Sequence, residues 1–234
     1  MIKLCDKIPA GFCGAAYVKI LCNFAAYGEY SKLALFWTQT DNNQNPTAVL
    51  GMLDNNLQVS CKENCDYEEL SAFIKALSPN SIFTEKENVE PLHLKINEEC
   101  MVFLLDEFQN RTPIMENTYC GLEYLHGILS RHLNIAEKDA FIADMSHRIR
   151  HNCATYVTGN FSAAAMLYSG KYGILNGIAV NPESRKSGLG SATLNRLLSG
   201  FRGEFFYVCC TQNNAPFYMK NGLKAVGKAA YCEV

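Results

Sequence analysis

The sequence has no apolar run of the roughly 20 residues that a membrane-spanning helix needs, so no membrane partner is expected. It has no Lys/Arg cluster, and its formal net charge is −2, which removes the electrostatic case for nucleic acid or an anionic lipid surface. It has no Cys-x-x-Cys pair. Cys61 and Cys65 come closest, but no second pair completes a zinc set, so no metal is expected. Eleven cysteines are present, an odd number, and several lie inside apolar runs (Cys22, Cys153, Cys209, Cys210, Cys232). That placement suits reduced thiols packed as small hydrophobes rather than a disulfide framework. The first residues lack the pattern of a secretory leader, because the apolar stretch from Gly11 to Tyr27 is broken by Lys19 and spaced like an amphipathic helix. A cytoplasmic location is expected, and the sequons at Asn110 and Asn160 are set aside on the same ground.

What is present is an ordinary globular composition. With 234 residues, 48% hydrophobic and 19% charged, the chain can bury one large core or two small ones. Local patterns predict a helix over 15–27, strands over 32–40, 47–53 and 57–61, and a helix capped by Asp66 and Glu69 that runs to about Leu77. Short strands follow over 81–84 and 101–105, and the polar stretch Asp106 to Pro113 reads as a linker. The second half repeats this general order. Helices are predicted over 120–132 and 136–151, and strands over 154–157, 162–168 and 172–180. Then come a helix from Gly188 to about Phe201, a strand over 205–210, a short helix over 214–221 and a strand over 223–233. Leu194, Leu197, Leu198 and Phe201 share one helical face. Alternating strands and helices imply a mixed α/β fold, with domains at 1–112 and 113–234.

The segment Ile178-Ala-Val-Asn-Pro-Glu-Ser-Arg-Lys-Ser-Gly-Leu-Gly-Ser191 carries the chemistry. A strand ends at Pro182 and a helix starts near Gly188, so the unpartnered N–H groups of the first helical turn point at an anion along the positive end of the dipole. Gly188 and Gly190 let a phosphate approach the backbone, and Arg185 and Lys186 add positive charge at the mouth. These features suit a pyrophosphate. The segment resembles the coenzyme A signature of the GNAT N-acetyltransferase superfamily, Arg/Gln-x-x-Gly-x-Gly/Ala after a strand ending in Val-x-Pro. Here the matching residues are Val180-Asn181-Pro182, Arg185, Gly188 and Gly190. Asn214-Ala-Pro-Phe-Tyr-Met-Lys-Asn-Gly-Leu223 resembles that family's A-x-x-F-Y-x-K-x-G-F segment, with Leu223 in place of its Phe. The match covers about Ala136 to Val234.

The resemblance implies an acyl-coenzyme A fold in the second half, with acetyl-CoA or another acyl-CoA as co-substrate. Pyrophosphate contacts would come from Arg185, Lys186, Ser187, Gly188, Leu189, Gly190 and Ser191. Backbone groups of Ile178, Ala179 and Val180 would pair with the pantetheine arm. Tyr218 falls on the family's general-acid tyrosine. The implied reaction moves an acyl group, most often acetyl, to an amine of a small molecule or peptide. Two departures stand out. Thr211 occupies the place of a cofactor-contacting asparagine, and the strand over 172–180 carries no carboxylate to act as base. Asp139, Asp144 and Glu123 are then candidates without a distinguishing signal. The alternative reading is a non-catalytic acyl-CoA binding or sensing protein. In the first half the corresponding turn, Cys61 to Glu69, is acidic and lacks glycine. A degenerate repeat without cofactor is expected there, serving as a wall of the acceptor site or only as packing.

Two further patterns are set aside. Asp144, His147 and His151 share a helix face that could hold a metal, but Arg148 and Arg150 crowd it and a solvated face is expected. Gly222 to Ala229 approaches a phosphate-loop pattern but has Ala229 where Ser or Thr would hold magnesium.

Overall fold

The structure, a computed structural model, describes residues 1–28, 33–107 and 121–234. The elements in chain order are β1 (Ile2–Leu4), α1 (Ala15–Tyr27), β2 (Ala34–Thr40), β3 (Pro46–Leu53), β4 (Asn56–Cys61), α2 (Tyr67–Leu77), β5 (Ser81–Glu85) and β6 (Lys95–Leu105). After them come α3 (Leu122–Leu129), α4 (Lys138–Arg150), β7 (Ala154–Gly159), β8 (Ser162–Ser169), β9 (Tyr172–Val180), α5 (Leu189–Ser199), β10 (Phe205–Cys210), α6 (Ala215–Lys220) and β11 (Lys224–Glu233). Most of the linker expected over Asp106 to Pro113 lies outside the described residues.

The strands form one mixed sheet in the order β1-β2-β3-β4-β5-β11-β6-β10-β9-β8-β7. Among the described strands only β4–β5 and β9–β10 are parallel, and each of these pairs is joined through a helix, α2 or α5. The order β2-β3-β4-α2-β5-β6 therefore recurs as β7-β8-β9-α5-β10-β11. The last strand of each repeat crosses to the other. β6 lies between β10 and β11, and β11 lies between β5 and β6.

Helices cover both faces. Helix α1 is buried nearly all round, and its small residues Ala15, Ala16 and Ala26 let it lie close to the sheet. Ala15, Ala16, Val18 and Cys22 pack with Phe83, Cys100, Ala163, Ala165, Tyr207 and Ala229, so α1 binds strands of both repeats. On the other face, Leu194, Leu197 and Leu198 of α5 meet Ala164, Met166, Phe206 and Val208. Each of these leucines contributes about 1.5–3 kcal/mol by burial. Leu70 and Ile74 of α2 pack there on Leu50, Leu57, Val59 and Ile82. No helix among the described residues is long and apolar enough to cross a membrane.

The cap of α2 is half of the expected box. Asp66 Oδ1 accepts the Glu69 N–H at 3.0 Å, but the Asp66 N–H donates to Gln39 Oε1 at 3.0 Å, and Glu69 turns to the Met1 amine and the Ile2 N–H instead. Asp66→Ala should cost about 1 kcal/mol of stability, the usual worth of an N-cap, read as a lower midpoint in urea at an unchanged slope.

Two elements differ from expectation. β1 is a three-residue edge strand, too short for a periodic signal. β6 begins six residues before the expected start, because Lys95–Glu99 are exposed and show no apolar alternation. Ion pairs hold this stretch: Lys95 with Glu233, and Glu99 with both Lys86 and Lys228. The Asp144–His147–His151 face is only partly solvated, with His151 exposed and Asp144 and His147 half-buried. Asp144 accepts from Tyr27 Oη and from Arg148 Nε, and His147 stacks on Tyr27 with ring centroids 4.5 Å apart. It docks α4 on the end of α1. Among the described residues no group of three or more potential ligands is drawn together to hold a metal. Gly222 to Ala229 enters strand β11, with no helix after it.

Candidate active site

The parallel ladder between β9 and β10 is short. It pairs Phe205 with Tyr172, Phe206 with Gly173 and Tyr207 with Ile174, and then the strands part. Beyond that point β10 remains bonded to β6 through Cys210 and Met101, and β9 remains bonded to β8 up to Val180 and Ser162. The facing edges of Ile178–Val180 and Val208–Cys210 are left apart. A bulge starts the divergence. The register shifts between Ala165/Gly177 and Met166/Leu175, which leaves Asn176 as the extra residue. Gly177 sits at φ 156°, and a Cβ there would come within 3.1 Å of Leu133, so this glycine serves both the bulge and a close approach.

A short 3-10 turn over Pro182–Ser184 follows β9. Lys186 and Gly188 have φ of 62° and 85°, and this winds the loop into the start of α5. Holding the non-glycine Lys186 there costs about 1–2 kcal/mol. The two glycines do different work. At Gly188 an added Cβ would meet nothing within 4 Å, so the site needs its left-handed backbone and open space above it. At Gly190 a Cβ would lie 3.2 Å from Phe217 and 3.6 Å from Val180, so this glycine lets α5 approach α6 and β9. Arg185 donates from Nε to the Val180 carbonyl at 3.1 Å and reaches His132 Nδ1 at 3.4 Å.

These elements enclose a cleft of about 450 Å³. It gathers Ile178, Ala179, Val180, Arg185, Lys186, Gly188, Gly190, Ser191 and Tyr218 from the expected set. It does not gather Ser187, whose hydroxyl donates to the Ser184 carbonyl at 2.6 Å, or Leu189. It adds His132, Leu133, Asn214, Phe217 and Lys220. Phe217 and Lys220 stand one helical turn apart on α6, a spacing visible in the sequence. His132 and Leu133 come from the α3–α4 connection and carry no sequence signal. Thr211 precedes α6, and its hydroxyl accepts from the Asn214 amide at 3.3 Å, so Asn214 reaches the cleft near the place where an asparagine was missed.

Tyr218 is 5% exposed, with its ring 5.9 Å from that of Phe103 and 5.0 Å from that of Phe217. Burial raises its pKa well above the ordinary tyrosine value, and the thiols of Cys210 and Cys209 add to the rise. Its hydroxyl therefore holds its proton throughout the neutral range. Among the described residues no carboxylate lines the cleft. Asp144 is engaged by Tyr27 and Arg148, Glu123 pairs with Lys138 at 3.4 Å, and Asp139 is exposed on α4.

The cleft suits an extended molecule with a polyanionic end. Arg185, Lys186 and Lys220 ring the mouth beside the N–H groups of the first turn of α5, and the bare edge of β9 offers hydrogen bonds along its length.

No family model matches the sequence, and no curated protein matches it. Solved structures do match the fold. A GCN5-related N-acetyltransferase from Sphaerobacter thermophilus superposes with a TM-score of 0.59 at 10% identity, covering 94% of this chain and 90% of that one. A tandem GNAT protein from the clavulanic acid biosynthesis pathway gives 0.54 at 9% identity, covering 92% and 87%. The N-myristoyltransferase of Saccharomyces cerevisiae, solved with bound myristoyl-CoA, gives 0.51 at 10% identity, covering 92% and 71%. The chain thus has the GNAT fold. Its recurring strand order is in keeping with the tandem architecture of one of these neighbours.

Proposed function

We propose that the protein is an N-acyltransferase that moves an acetyl or other acyl group from coenzyme A to an amine. The observation that carries this reading is the bare edge of β9, which runs from the Gly177 bulge to the N-terminus of α5, with Tyr218 in the same cleft. The α5 N-terminus with Arg185, Lys186 and Lys220 would hold the pyrophosphate. Backbone groups of Ile178–Val180 would hold the pantetheine arm as an added strand. In the transfer, the neutral amine forms a C–N bond to the thioester carbon, the C–S bond breaks, and the sulfur takes a proton. A lysine-like amine, with a pKa of about 10.4, must lose its proton first. Tyr218 supplies the proton to sulfur, the nitrogen releases one proton to solvent as the amide forms, and solvent restores the phenol. Because the buried phenol holds its proton more tightly than a thiol with a pKa of about 8.5, the transfer accompanies C–S cleavage rather than preceding it.

Acetyl-CoA should raise the melting temperature, and mixing it with acceptor amines should release thiol. Tyr218→Phe should lower kcat by about 10²–10⁴-fold, with the KM for acetyl-CoA within twofold of wild type. An unchanged kcat would remove Tyr218 from the chemistry. A second reading, acyl-CoA binding without transfer, is favoured by the lack of a carboxylate among the described residues of the cleft. It predicts stabilisation by acetyl-CoA with no thiol released on any amine.

A further inference from the structure

On the sheet face covered by α1, Lys19 reaches β5 and β11 near the middle of the sheet. Its Nζ donates to Tyr231 Oη at 2.8 Å and sits 3.7 Å above the ring centre of Phe83. Cys209 of β10 and Cys100 of β6 lie within its electrostatic reach. Cys209 is two residues past Tyr207, the last β10 residue paired with β9, so it borders the opening. Burial alone would pull Lys19 toward the neutral amine. Tyr231 and the two thiols outweigh that, and its pKa lies above the ordinary lysine value. The group is an ammonium.

Among the described residues this ammonium makes no direct ion pair, although Glu85 lies within its electrostatic reach. No carboxylate lies within 4.0 Å of it. Two acids stand on the strands beneath α1. Glu85 of β5 gives its Oε1 to the Ala16 N–H at 2.9 Å, and burial pushes its pKa up to about 7, so it is only partly ionised at neutral pH. Glu98 of β6 stands opposite Tyr231 in the ladder and makes no ion pair with Lys19. An ammonium carries three donors, and Lys19 uses one on a protein oxygen. Ring faces offset part of the cost of holding it there, about 0.5–2 kcal/mol, but they leave its hydrogen-bonding capacity unspent.

We infer that Lys19 binds a carboxylate of the acceptor, so that the amine acylated belongs to a molecule that also bears a free carboxylate, such as an amino acid. This rests on the acyltransferase reading, in which the amine approaches a thioester lying between β9 and β10. Lys19 and Tyr231 then select the acceptor from the α1 side while coenzyme A is held from the α5 side. The first repeat supplies Lys19 and Phe83, and this gives it a part in the site although it lacks a glycine loop of its own.

The test compares matched acceptors, the common amino acids and short dipeptides against their C-terminal amides, with acetyl-CoA and a thiol-release readout. The amide keeps the amine and removes the negative charge. Its amine is also the less basic and so more often neutral, so a preference for the acid cannot come from amine reactivity. Wild type should favour at least one acid over its amide by about tenfold or more in kcat/KM, the worth of one charge-assisted hydrogen bond. Lys19→Met should abolish that preference through a raised KM of the acid, with the KM for acetyl-CoA within twofold of wild type, and Lys19→Arg should restore part of it. If Lys19→Met does not fold, the wild-type comparison decides, together with thermal shifts of the CoA-saturated protein by N-acetyl amino acids against N-acetyl amino amides. Equal use of acids and amides, or turnover of neither, overturns the inference, as does a preference that survives Lys19→Met. If acetyl-CoA itself fails to stabilise the protein, the acyl-CoA reading falls, and this inference with it. Stabilisation by acetyl-CoA without acid–amide discrimination removes only the role of Lys19.

Discussion

Gly188→Val should abolish the thermal stabilisation by acetyl-CoA while leaving a folded protein. Two costs combine. Gly188 sits at φ 85°, where a β-branched residue is strained by at least about 1–2 kcal/mol. The new side chain also fills open space, since an added Cβ at this position meets nothing within 4 Å. That space lies over the first turn of α5, where a phosphate would take two or three N–H bonds. Losing two charge-assisted hydrogen bonds of about 1.5–3 kcal/mol each weakens binding by two orders of magnitude or more. Gly188→Asn separates the two effects, because asparagine tolerates the left-handed region. It should keep the wild-type melting temperature and still lose much of the acetyl-CoA shift. Titration calorimetry reads both. Wild-type affinity in Gly188→Val would remove the loop from the binding site.

The second large effect concerns the two repeats. Fragments 1–112 and 113–234, expressed separately, should each fail to show a cooperative melt, and co-expression should restore it. Without β6, the second fragment leaves one edge of β10 and both edges of β11 unpaired. It also loses Val102, Phe103 and Leu105, which are 4%, 0% and 4% exposed and enter the cores on both faces. At about 1.5–3 kcal/mol each, these three side chains alone approach the 5–15 kcal/mol that holds a typical domain folded. The first fragment in turn loses β11, whose Ala230 and Cys232 pack under α2. A sharp melt of 113–234 alone, shifted upward by acetyl-CoA, would show that the exchange is dispensable.

The legible parts of the fold are those with a local cause. Helix α1 and strand β10 have the bounds that their patterns predict, because a continuous apolar run and a helical period are properties of neighbouring residues. The loop from Val180 to Ser191 is legible for the same reason. Its strand end, its two glycines and its cations are contiguous, and the helix that follows has a clear apolar face. The start of β6 is not legible. Lys95–Glu99 form a strand only because β11 arrives from more than a hundred residues away to pair with them. Lys19 shows the same limit. In the sequence it is the charge that interrupts an apolar stretch, and nothing nearby marks Tyr231 or Phe83 as its neighbours.

Read alone, the residues determine the order of elements, its recurrence in the two halves, and a loop with two glycines and two cations at the start of α5, while the resemblance implies the place of Tyr218 near it. The tertiary structure decided the rest. It separated the role of Gly188 from that of Gly190 and left Ser187 and Leu189 out of the cleft wall. It also joined the two halves through exchanged strands and set Lys19 of the first half against Tyr231 of the second. The physical reason is one of range. Helix caps, turns and periodicity act over a few residues, whereas strand pairing and charge burial depend on which distant segments meet, and that is settled only when the whole sheet closes.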